Sequence, residues 1–358
     1  MKTTASILAA LATSPLVAAA PTIIEHEKRG WVNWTSPGLN DLARKAGLMY
    51  FGTAIDNPSL NNTKYLSIAR DAHEFGQVTP ANGQKWMYTE PEQGVFSFEM
   101  GDAIINPAIA SQQIRRCHTT LWHNQLPDWL TSRNWTSPEL VSILETHIAA
   151  VVGHYKGLCY AWDVVNEAFN EDGTFRSTIW LDTIGPSYIE TAFKAVAAAD
   201  PDAKLYYNDY NLESISNKTR AVGALIRRLQ DCGVPNLGVG MQAHLITGMT
   251  PSYTDQVANM QAFVDLGVEI AVTELDIRTE LPSTPEKEET QAQNYADTVK
   301  ACVDVQGCVG VTVWDFYDPY SWVPGVFEGE GDATLYRESF ERKPAWWAVA
   351  EVLDSAAN

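Results

Sequence analysis

The chain has 358 residues, 45% of them hydrophobic, and carries 25 Lys and Arg against 44 Asp and Glu, a formal charge of −19 at pH 7. So acidic a chain repels nucleic acid and anionic membranes, which excludes both as partners. Its length suits a single (β/α)8 barrel, a fold of about 250 residues or more.

From the start, residues 1–20 have the form of a secretory signal: Lys2, an apolar run over 7–16, then the small residues Ala18, Ala19 and Ala20. Residues 21–29 are polar and end in Lys28-Arg29, as a short pro-segment cut after a dibasic pair does, so the mature domain is expected over 30–358. No later apolar run reaches the roughly 20 residues that span a bilayer. Sequons at Asn33, Asn61, Asn134 and Asn217 fit an extracellular glycoprotein. A secreted monomer is the expectation.

Strand patterns follow at 49–55, 75–79, 115–122, 160–165, 204–208, 238–243, 269–273 and 310–315. Helical patterns, with apolar residues three and four apart, fall at 39–46, 138–154, 187–199, 216–232, 254–266 and 287–303. This alternation predicts an α/β chain closed into a parallel TIM barrel, without a second domain. An open doubly wound sheet would carry a glycine-rich phosphate loop after its first strand. Here Gly52-Thr53-Ala54 runs instead into Asp56-Asn57-Pro58, and no cofactor is expected.

Five cysteines are an odd count. Cys302 and Cys308 flank a short polar turn and can close a disulfide loop worth about 2 kcal/mol in the entropy model. Cys117 and Cys159 lie in strand patterns and Cys232 follows a helix, so these three read as buried free thiols. No spacing suggests a metal site.

Chemistry collects where strands end, the face on which barrels of this kind build active sites. The fourth strand climbs into Asn166-Glu167. The seventh ends in Glu274-Leu275-Asp276, where residues two apart face the same way, so both acids point to the barrel mouth. Carboxylates paired across a mouth suit glycoside hydrolysis, although spacing alone fits ordinary ion-pair partners equally well. The other strand ends offer Asn82 and Lys85, Trp122 and His123, Asn208 and Tyr210, Gln242 and His244, and Trp314. Amides and imidazoles bond hydroxyls and indoles stack on pyranose faces, so these groups suit a carbohydrate ligand.

W-D-V-V-N-E at 162–167, T-E-L-D at 273–276, L-W-H-N-Q-L-P-D-W at 121–129, Y-Y-N-D-Y-N at 206–211, Q-A-H at 242–244 and the stretch 302–314 together resemble glycoside hydrolase family 10, over about 39–350. The resemblance implies a secreted, retaining endo-1,4-β-xylanase with Glu167 as general acid/base and Glu274 as nucleophile. Asn166 then holds the sugar 2-hydroxyl, while His244 bonds the nucleophile with Asp276 fixing its ring. By the same resemblance Asn82, Lys85, His123, Gln242, Trp314 and Trp322 grip the sugars on the non-reducing side of the cut. Tyr210 touches the leaving group, and Trp122 and Asn208 complete the substrate-binding set.

Two departures stand out. The family's T-P-E-N-x-M-K-W reads T-P-A-N-G-Q-K-W at 79–86, putting Ala81 and Gln84 where Glu and Met are usual, and the run 316–319 is irregular. They keep open a second reading, a family-10 glycosidase that strips the sugar chain from a plant saponin as tomatinases do. A third, an inactive sugar-binding protein, is opposed by the presence of Glu167, Glu274, Asn166 and His244.

Overall fold

All eight expected strands form, and they are the staves of a closed barrel. In the computed structural model, which describes residues 37–357, the strands are β1 (Tyr50–Ile55), β2 (Gln77–Pro80), β3 (Ile114–Leu121), β4 (Ala161–Asn166), β5 (Lys204–Asp209), β6 (Leu237–Met241), β7 (His244–Ile246), β8 (Glu269–Glu280), β9 (Cys308–Val313) and β10 (Glu330–Gly331). β1 to β6 pair in sequence, β6 pairs with β8, and β8 and β1 both pair with β9, every contact parallel. The ring therefore has no free edge in its barrel portion. The expected signal, pro-segment and Asn33 sequon lie outside the described residues.

β8 is longer than the pattern implied, because it continues past the rim and takes two short partners. β7 lies parallel to it with His244 opposite Asp276, and β10 lies antiparallel with Gly331 opposite Thr279. The first of these pairings sets the site, since it brings the sixth and seventh strand ends into register above the mouth.

The helices match the apolar spacing within a few residues. Ser137–His154 opens with a capping box between Thr136 and Glu139, and Asn217–Asp231 with one between Ser216 and Thr219. Asn217–Asp231 buries Val222, Leu225, Ile226 and Leu229, the i, i+3, i+4, i+7 face that packs on the barrel. Asn61, Asn134 and Asn217 are exposed.

Inside the barrel the filling is polar. Arg116 and Asp163 form a fully buried ion pair, and the Arg116 guanidinium lies 4.0 Å from the centre of the Tyr206 ring. Tyr206 donates to Glu269 at 2.7 Å. These large groups fit because their neighbours lack side chains: a Cβ on Gly238 would lie 2.7 Å from the Tyr206 ring, and one on Gly310 the same distance from Tyr50.

The cysteine reading needs one correction. Cys302 and Cys308 are joined, but so are Cys117 and Cys159, whose Cα atoms are 5.8 Å apart. Parallel pairing of β3 with β4 sets Cys117 opposite Trp162, close to where Cys159 leads into the strand, a proximity that 42 residues of separation conceal. Cys232 is free and half-buried.

Candidate active site

An open cleft of about 900 Å³ crosses the C-terminal rim, lined among others by Ala81, Lys85, Glu167, Tyr210, Glu274 and Trp322. Backbone strain concentrates along it. Gln125, Glu167, Asn211, Ala243 and Asp315 all have φ between 48° and 63°, the left-handed region that side chains avoid, and each closely follows a barrel strand. The turn at Glu167 tips its carboxylate out of the strand and over the mouth.

The two acids stand three strands apart on the ring, and amides fill the gap. Asn208 donates to Glu274 Oε1 at 2.7 Å and to Asn166 Oδ1 at 2.9 Å. Asn166 and Gln242 donate to Glu167 Oε1 at 3.2 and 3.1 Å. One hydrogen-bonded chain thus runs from carboxylate to carboxylate.

Glu274 is built to stay ionised. Burial would raise its carboxyl, but the hydrogen bond from His244 Nε2, 3.2 Å long, and the fields of His118 and His244 hold it below the usual carboxylate range. Burial likewise opposes charge on His244, yet Asp276, 2.9 Å from Nδ1, and Glu274 outweigh it and push the imidazole up to about 10. His244 is therefore a cation donating to both acids. Asp276 also accepts from Trp322 Nε1 at 2.7 Å, so it fixes an imidazole and an indole together.

On the opposite wall Lys85 donates to Asn82 Oδ1 at 2.8 Å and Gln125 Oε1 at 2.7 Å, and lies 4.8 Å from the Trp122 ring centre. Burial pulls this ammonium down to about 8, with Glu274, Asp56 and Glu167 resisting. Trp314, Trp322 and Tyr210 also line the cleft. The Lys218 ammonium sits 3.6 Å from the Tyr210 ring centre.

Three of the expected residues stand back from this wall. Asn208 is fully buried between the acids, Asp276 lies behind His244, and His123 occupies a small gap behind Glu167 with its Nδ1 3.9 Å from Glu167 Oε2.

Sequence reasoning passed over His118, which lines the floor, bonds Asp163 at 2.9 Å and approaches Glu274 to 4.0 Å. Its strand, Ile-Arg-Arg-Cys-His-Thr-Thr-Leu, places Arg116 and His118 two apart and hence on one face, but Arg115, Thr119 and Thr120 beside them blur that signal. His118, Asp163 and Glu274 bring donor atoms within 4.8 Å of one another. However, Arg116 and His118 take the Asp163 oxygens, and Asn208 and His244 take those of Glu274, so the cluster is filled by hydrogen bonds.

The departures noted in the sequence resolve differently from one another. Gln84 is fully buried away from the cleft, accepting from the His118 amide at 3.1 Å and donating to Cys117 Sγ at 3.2 Å. Phe316 is buried against Tyr65 with ring centres 4.6 Å apart. Only Ala81 faces the cleft.

Residues 38–352 match the sequence profile of Glycosyl hydrolase family 10. Endo-1,4-beta-xylanase D of Talaromyces funiculosus is 50% identical over 320 residues, covering 89% of this chain and 78% of the relative. Endo-1,4-beta-xylanase A of Humicola insolens is 49% identical, covering 88% and 86%. Among solved structures, Penicillium canescens endo-1,4-beta-xylanase XylE superposes with a TM-score of 0.86 at 42% identity over 89% of this chain and 98% of its own. A Bispora family-10 xylanase with xylobiose gives 0.86 at 40% over 88% and 99%. These relatives lend no support to the saponin reading, and two of the residues that motivated it, Gln84 and Phe316, are buried away from the cleft. On the match across the whole barrel, the chain is a glycoside hydrolase that belongs to glycosyl hydrolase family 10.

Proposed function

We propose that the protein is a secreted, retaining endo-1,4-β-xylanase. The observation that carries this reading is the asymmetric treatment of the two carboxylates. Glu274 is held ionised by a cationic imidazole and an amide, whereas the Glu167 carboxylate accepts hydrogen bonds from the Asn166 and Gln242 amides, has the His123 ring 3.9 Å away, and stands on a turn beside the leaving-group platform Tyr210.

In the first step Glu167 gives its proton to the glycosidic oxygen as that bond to the anomeric carbon breaks. Glu274 attacks the same carbon from the opposite face, forming a glycosyl ester. In the second step the ionised Glu167 takes a proton from water, whose oxygen attacks the anomeric carbon and releases Glu274. Two inversions leave the configuration unchanged. Asn166 and the Lys85–Asn82–Gln125 group hold hydroxyls of the glycone, and Trp314 and Trp322 cover it. Relatives described as endo-1,4-beta-xylanases support cleavage within the polymer. The relatives named xylanases, one of them holding xylobiose, support xylan as substrate. Two disulfides fit an oxidising compartment and so support secretion. Exposed Asn61, Asn134 and Asn217 are the proposed glycan acceptors, and the protein is taken to act as a monomer.

The test is proton NMR during hydrolysis of xylohexaose. Early accumulation of β-anomeric xylobiose and xylotriose is expected; early α-anomer would overturn the retaining mechanism, and xylose as the first product would overturn the endo action.

A further inference from the structure

Glu167 stands in a conformation its own side chain disfavours, with φ at 58°, and something must hold it there. Its amide donates to Asn208 O at 2.9 Å, holding the residue from its N-terminal side. The other side is held by Arg176, whose Nε donates to Glu167 O at 3.0 Å. Residues 168–176 fold back as a small hairpin to bring it there: Phe169 pairs with Phe175, their rings 4.8 Å apart, and the Arg176 amide donates to Ala168 O at 2.8 Å. The same guanidinium reaches away from Glu167 and donates through Nη2 to the Tyr210 hydroxyl at 2.6 Å. The Tyr210 ring is held from another side by Lys218, itself buried and paired with Asp209 at 2.9 Å.

We infer that Arg176 is a positioning residue that joins the proton donor to the leaving-group platform, so that seating the leaving sugar on Tyr210 and aiming Glu167 at the glycosidic oxygen are set by one planar group. A guanidinium is suited to this because its rigid fork fixes the angle between two acceptors. An ammonium on a flexible stem offers donors with no fixed plane or reach between them. The inference rests on the assignment of Glu167 as acid/base.

The distinguishing measurement is kcat/KM along a series of aryl β-xylobiosides from 2,4-dinitrophenyl to phenyl, with xylohexaose as the natural poor leaving group. A dinitrophenolate departs without a proton, so a misaimed acid costs little there and much for the others. General acid catalysis contributes about 10²–10⁴-fold, and a donor displaced but not deleted forfeits about 10- to 100-fold of it on xylohexaose, with under about 3-fold on the dinitrophenyl substrate. That pattern is expected of Arg176→Gln, with partial recovery in Arg176→Lys. A loss equal on all leaving groups, or no loss, overturns the inference.

Glu167→Ala run on the same series separates the two claims. If Glu167→Ala shows no dependence on the leaving group, the acid/base assignment itself fails. If Glu167→Ala shows it and Arg176→Gln does not, only the role of Arg176 fails. Should Arg176→Gln not fold, Tyr210→Phe removes the single bond at the platform end; a loss of about 3- to 10-fold confined to poor leaving groups is expected, and an unchanged slope overturns the coupling.

Discussion

His244 sits as a cation between Glu274 and Asp276, and the pH behaviour of the site follows from it. Glu274 keeps its charge to lower pH because of that neighbour, so His244→Ala is expected to move the acidic limb of kcat/KM upward and to lower kcat about 10- to 100-fold, as loss of an orienting partner does. A pH–rate profile of the two proteins checks it. The stability of the pair has a window with the same origin. His244 has a raised folded value, so its contribution is complete below about 6.5 and is lost as pH rises toward 10; Glu274 has a lowered one, so its contribution is complete above about 4.3 and is lost on further acidification. Urea midpoints across pH should therefore be highest, as far as this pair contributes, between those limits, and His244→Ala should flatten the alkaline side. On the other wall Lys85 loses its proton near pH 8. KM for xylooligosaccharides is expected to rise above that pH in the parent, whereas Lys85→Met should show a pH-independent KM raised about 30- to 100-fold, the value of hydrogen bonds from a charged donor. The acids, His244 and Trp314 were readable because each follows a barrel strand with no local reason to be there, whereas Trp322, well beyond β9, came from the family resemblance. His118 and Arg176 were not readable. One sits in a strand whose other polar residues, Arg115, Arg116, Thr119 and Thr120, leave it without a mark of its own, and the other is brought to Glu167 by a hairpin that leaves no periodic trace.

Among the elements, barrel strands and long helices were legible because burial imposes a strict period on them. What escaped was pairing: the pattern of β8 could not reveal that it outruns the barrel and acquires β7, and neither Cys117 nor Cys159 announces the other. That second disulfide matters energetically. In the chain-entropy model a cross-link over 42 residues is worth about 4 kcal/mol and one over 6 about 2 kcal/mol. Cys117→Ala with Cys159→Ala should therefore cost about twice as much unfolding free energy in urea as Cys302→Ala with Cys308→Ala. Gln84, seated on Cys117 and on the His118 amide, makes the first pair felt at the floor of the cleft as well.

At the scale of the whole molecule the charge of −19 sets which polymers approach. Neutral arabinoxylan meets no long-range barrier, while xylan carrying uronic acids is repelled by a field that salt screens beyond about 10 Å at 0.1 M. Raising ionic strength from 10 to 150 mM is expected to increase kcat/KM on glucuronoxylan several-fold and leave arabinoxylan nearly unchanged; equal responses would show that the net field does not steer. The barrel interior imposes a constraint of another kind on variation. Because Tyr206 fills the space that Gly238 leaves empty, and Tyr50 that of Gly310, each pair is a single unit of inheritance: alanine at either glycine is tolerable only with a smaller partner arriving at the same time. The rim loops can change one residue at a time, but the column of side chains supporting the two glutamates must change in couples. A lineage exploring new sugars from this barrel is thereby steered to the loops.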